Sequence, residues 1–158
     1  MSSWHTPERK VEQALKTYLQ TVAGTEFDGV QIVTRFSNLA LTEPRIEIVC
    51  EDLAPWPTVE DSQSDTGNWQ CTVNISVLSH YEKDVDATAH DELAGQVMDK
   101  LILTDGTSDA LADEIEKTQV DADITIFDAW RGERKNSVEG HTLKTEQSMV
   151  LLMAPSKL

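Results

Sequence analysis

Four histidines, two cysteines and a surplus of carboxylates are the side chains in this sequence that could do chemistry. His80, Asp84, His90 and Asp91 come nearest to a ligand set, because a strand end followed by a helix start would bring them together. A small hydrolase would need a pocket gathering His80, His90 and several carboxylates. His90, however, falls in phase with Leu93, Ala94, Val97, Met98 and Leu101, where a packed, hydrogen-bonded core histidine is the expected outcome. His5 stands near the start of the chain and His141 beside a charged stretch. Asp105, Asp109, Asp113 and Glu114 are spaced like a solvated helix face and lack the alternating ligands of a calcium loop. No phosphate-binding glycine loop, nucleophile elbow or HExxH helix occurs. Cys50 and Cys71 form no CxxC pair and are expected as buried thiols in two strands. The expectation is a protein that is not an enzyme, with no catalytic residue, no metal and no cofactor.

The elements that would position these groups can be read from hydrophobic period. Thr6-Pro7-Glu8 is a helix start, since proline at the first helical position gives up an N–H that has no partner there. Val11, Ala14, Leu15, Tyr18, Leu19 and Val22 continue one stripe until Gly24. Val30–Phe36 and Arg45–Cys50 alternate and are expected to form an antiparallel pair. Glu51 to Gly67, with Pro55 and Pro57 around Trp56, is expected to hold neither helix nor strand.

From Trp69 through Cys71, Val73, Ile75 and Val77 every second residue is apolar, which predicts a long half-buried strand at the centre of the core. A polar corner at Ser79 to Asp84 leads into a second helix, with Asp84 or Asp86 as its cap. A short helix from Ser108 to about Lys117, and strands over Val120–Trp130 and His141–Met153, complete the chain. The predicted class is α+β: a mixed, mainly antiparallel sheet with two main helices packed on it, in the order α-β-β-β-α-(α)-β-β, as a single domain over 1–158.

Length and charge bound the function. At 158 residues, 39% hydrophobic and 26% charged, the chain is expected to be one globular domain, soluble and unexported. A net charge of −15 argues against gripping the DNA backbone, which needs lysine and arginine to displace counterions. It suits solubility, a surface that repels nucleic acid, or an acidic mimic of DNA that inhibits a basic enzyme. Against this background "RGERKNSVEGH" is the one concentrated basic stretch, read as the long charged tip of the final hairpin. Trp56, Trp130, Arg131, Arg134 and Lys135 are therefore the candidate contacts to other proteins: tryptophan anchors interfaces, and the basic groups can meet an acidic face of an identical subunit.

The segments "VEQALKTYL", "PRIEIVCE" and "QCTVNISVLSHYEKDVDATAHDELAGQVMDKL", with the closing "LLM" strand, span most of the chain. In this order they resemble the tail terminators, or minor tail and tail-to-head joining proteins, of long-tailed bacteriophages and prophages. The resemblance implies helices packed on a mixed sheet and subunits that form a hexameric ring on the finished tail. The ring ends polymerisation of the tail tube protein and offers the surface where head-completion or neck proteins join. It implies a structural protein of the virion, assembled in the host cytoplasm, through which DNA passes without specific binding, and with no catalytic residues. A head-closure or neck ring of the same particle shares much of this architecture and is the alternative.

Overall fold

The computed structural model describes residues 6–35, 41–55, 68–101, 108–118 and 124–155. Helix α1 (Pro7–Ala23) begins as its sequence dictates: the Thr6 hydroxyl accepts from the Arg9 N–H at 3.3 Å, Pro7 takes the first turn, and Gly24, with φ of 58°, ends it. The chain then forms β1 (Gln31–Thr34), β2 (Arg45–Pro55), β3 (Trp69–His80), α2 (Asp84–Lys100), α3 (Ser108–Lys117), β4 (Ile124–Glu139) and β5 (Thr142–Pro155). The five strands make one sheet in the order β1-β2-β3-β5-β4, mostly antiparallel, so the predicted class and element order hold.

The helices share one face of this sheet. Leu15 and Leu19 of α1, Val97 of α2 and Ile115 of α3 join Ile48, Val73, Ile75, Met149 and Leu151 in a single core. Each large side chain so buried contributes about 1.5–3 kcal/mol. The opposite face carries Glu47, Asn74, Ser76, Lys144 and Glu146, the polar half of the alternation.

Four expectations are corrected. β1 and β2 are parallel, in register Gln31↔Arg45 to Thr34↔Ile48. Apolar alternation is the same in either direction; what decides is that the connection returns the chain to the start of β1, where Gln31 N–H donates to Pro44 O at 3.2 Å and Gln31 Oε1 accepts from Thr42 N–H at 3.0 Å. β2 does not stop at Cys50 but continues to Pro55 through a bulge between Cys50 and Asp52. The proline is tolerated because β1 has ended at Thr34, so that among the described residues no strand pairs with that edge of β2 at Pro55.

The cap of α2 is Lys83, not Asp84 or Asp86. Asp86 instead reaches back from the first turn and accepts the N–H groups of Glu82 (2.9 Å) and Lys83 (3.0 Å), half of a capping box. Those bonds hold its carboxyl below the usual range. Finally, the charged tip is no loop: β4 runs as strand to Glu139 and turns only at Gly140, with φ of 60°.

Candidate interaction surface

β4 is an edge strand with two unlike halves. Its first half is covered by α3, and the Glu116 carboxylate on that helix accepts the Ile126 N–H at 2.8 Å. Asp128 accepts the N–H of Ala129 at 2.9 Å beside a bulge between Ile126 and Asp128. From Trp130 to Glu139 every residue is exposed, and the outer edge is paired with no strand among the described residues. A long exposed edge of this kind is a template for another chain unless charge or irregularity blunts it.

The register distributes the candidate contacts over both faces of this edge. Arg131 stands opposite Met149 and Arg134 opposite Gln147, on the face that carries the helices. Trp130 stands opposite Val150 and Lys135 opposite Glu146, on the polar face. A second bulge, between Arg131 and Arg134, separates the two arginines.

Gln147 is almost wholly buried and organises that bulge. Its Oε1 accepts from Arg134 Nε at 3.2 Å, and its Nε2 donates to Gly132 O at 3.1 Å and Ser148 O at 3.0 Å. At Gly132 an added Cβ would come 3.2 Å from Ser148 Oγ, so the close approach of β4 to β5 favours glycine there. On the polar face Glu146 bonds Lys144 (2.8 Å) and Asn74 (3.0 Å), which together with Lys135 hold its carboxyl below the ordinary range.

β4 is also tied to α2 through a buried polar chain. Thr145 Oγ1 donates to Asn136 Oδ1 at 2.8 Å and so accepts from His90 Nε2 at 2.9 Å, which leaves His90 Nδ1 to accept from Ser79 Oγ at 2.8 Å. His90 is thus the hydrogen-bonded core residue that its place on the stripe indicates. Burial pushes its pKa down from 6.5. The neutral Nε2–H tautomer is the one this chain of bonds requires.

Of the four residues weighed as a ligand cluster, His80 and His90 line one groove together with Glu26, Glu43, Asp86 and Glu92, whereas Asp84 and Asp91 are not among its lining residues. His90 faces the core, whereas His80 is half exposed and lies 3.0 Å from Glu82 and 4.0 Å from Glu43. His141 lies near His80, with ring centroids 6.1 Å apart. Asp84 and Asp91 are exposed on α2. Among the described residues no group of three or more His, Cys, Asp or Glu is placed to hold a metal ion. Cys50 and Cys71 are both buried and unbridged, and the neighbouring Cys50 thiol together with burial pushes the Cys71 thiol up. Asp113 and Glu114 belong to the outer side of α3, with Glu114 bonded to Lys117 at 3.0 Å. Trp56 and Asp105 lie outside the described residues, as does the Asp109 side chain.

Sequence reasoning missed Glu12, which is wholly buried on α1. Its Oε2 accepts the Cys50 N–H at 2.8 Å and binds Arg35 Nη2 at 3.0 Å, while the same nitrogen of Arg35 donates to Cys50 O at 2.6 Å. The signal was its phase, since Glu12 falls between Val11 and Leu15 and in step with Leu19.

Neither a scan of protein-family models nor a search of characterised protein sequences returns a match to this chain.

Proposed function

We propose that this chain is the subunit of a phage tail terminator. Copies close into a ring, hexameric by the resemblance, on the end of the tail tube; they stop addition of the tube protein and present the surface that head-completion proteins join. The observation that carries this reading is the open half of β4, where Trp130, Arg131, Arg134, Lys135 and Val138 are displayed on a bulged strand that is braced by β5. Tryptophan and arginine are the residues that dominate interface energetics. A strand fixed along its length by β5 presents them with less ordering cost than a loop would.

A mixed sheet with helices packed on it is the architecture that the resemblance implies, and this supports the reading. The charge balance, 28 acids against 13 lysines and arginines, suits a ring through which DNA passes without sticking, because few cations are available to replace its counterions.

The test is electron microscopy of particles made without this gene. Overlong, irregular tails support a terminator. Tails of normal length with empty or detached heads assign the protein to the neck ring instead, and normal infectious particles contradict both.

A further inference from the structure

The described residues expose five large hydrophobic side chains. Phe127, Trp130 and Val138 lie on β4. Leu41 and Val85 lie elsewhere, just before β2 and in the first turn of α2, and a groove of about 390 Å³ opens beside α2. Its walls are Val30 and Pro44, which precede β1 and β2, with Ala89, Leu93 and Gln96 of α2. Four carboxylates, Glu26, Glu43, Asp86 and Glu92, line it together with His80 and His90; Lys100 pairs with Glu26 at 2.9 Å and Arg45 with Glu43 at 3.5 Å, while Glu92 is exposed on α2.

The groove is therefore apolar with an acidic rim, and the edge strand β4 is basic with apolar neighbours. On the helix-bearing face of β4 the unlike surface is made by Arg131, Arg134 and Val138. Arg134 spends only its Nε on Gln147, so its terminal amino groups are left for a carboxylate. Glu133, which would oppose this pairing, lies with Lys135 in the pocket on the polar face.

We infer that the groove beside α2 is the docking site for the open half of β4 of a second copy of this chain, with Arg131 and Arg134 facing the acidic rim and Val138 the apolar wall. The inference rests on the ring reading for its purpose but not for its geometry. Donor and acceptor are different surfaces of one chain, so the contact is head-to-tail and repeats from copy to copy. Such a contact closes into a ring when the rotation permits and otherwise continues as a filament. Each exposed ion pair is weak, so association of the purified chain is concentration-dependent and depends on several contacts forming together.

A charge exchange tests it. One variant carries Arg131→Glu and Arg134→Glu; the other carries Glu92→Lys and Gln96→Lys, both at exposed positions of α2. Sedimentation velocity is recorded at physiological ionic strength, where a Debye length of about 8 Å screens the net charge of the copies more than their contact pairs. The wild type is expected to associate as concentration rises, and each variant alone about tenfold more weakly or not at all. An equimolar mixture of the two is expected to regain association, because each reversed strand then meets a reversed groove.

The single exchange Arg131→Glu with Glu92→Lys, which leaves the Arg134 bond to Gln147 in place, gives the same comparison if a double variant melts early. A wild type that stays monomeric, or folded variants whose mixture does not associate, overturns the inference. Because no tail takes part, the result is independent of whether deletion of the gene lengthens tails.

Discussion

Glu12 and Arg35, 3.0 Å apart, bond the edge of β2 at a point where no strand pairs with it among the described residues. β1 ends at Thr34 opposite Ile48, which leaves the next outward-facing N–H and C=O of β2, those of Cys50, without a ladder partner. The Glu12 carboxylate takes the N–H and the Arg35 guanidinium takes the C=O, so α1 is fastened to the sheet at the point where β2 begins to bulge. Glu12→Ala is expected to destabilise the fold by about 1–3 kcal/mol, the cost of leaving a buried donor unpaired. At roughly 2–4 °C per kcal/mol for a chain of this size, calorimetry resolves the loss. An unchanged melting temperature would show that the pair holds nothing.

Stability is expected to decline as pH falls below the ordinary histidine value of 6.5. Burial lowers the pKa of His90 in the folded chain, so between the two values the unfolded chain binds the extra proton and is favoured. Protonation would also force Nδ1 to donate toward Ser79 and reverse that hydroxyl. Thermal melts from pH 7.5 to 5 should show this slope in the wild type and a flatter one in His90→Gln. Equal slopes would assign the effect to other groups.

Val73→Asp is expected to prevent folding, because Val73 lies in the core cluster with Ile75, Leu93 and Val97 and a carboxylate there has no partner. Circular dichroism of the purified variant reads the outcome directly. A native-like melt would mean that the inner face of β3 is wrongly assigned.

Most of the core was legible in the sequence. The stripes of α1, α2 and α3 and the alternation of β3 are strong periodic signals, since each element buries one side only. Three features were hidden for physical reasons. Strand direction leaves no trace in alternation, so the parallel pairing of Gln31–Thr34 with Arg45–Ile48 could not be seen in it. The open half of β4 is exposed on both faces, so nothing selects apolar residues at every second place and "RGERKNSVE" reads as a loop. The bonds that make it a strand come from the backbone of Thr142 to Met149. The acidic groove is assembled from residues as far apart in the chain as Glu26 and Gln96, a proximity that only the fold creates.

Zinc, manganese and ATP are each expected to leave the melting temperature unchanged, since a ligand that binds only the folded state raises it by mass action. A reproducible, concentration-dependent rise with any of the three would revive a catalytic reading of the groove.

The central claim is that the open half of β4 is an assembly surface of a tail cap. The most direct measurement is the distribution of tail lengths when particles lacking the gene are complemented with a variant carrying Arg131→Glu, Arg134→Glu and Lys135→Glu. Arg131 and Lys135 are exposed, and Arg134 reaches the interior only through its Nε bond to Gln147, so the isolated variant is expected to fold, with a modestly lower melting temperature. Overlong, irregular tails and a loss of infectious particles are expected. Tails of uniform length on infectious particles would contradict the claim and leave β4 as an ordinary solvated edge.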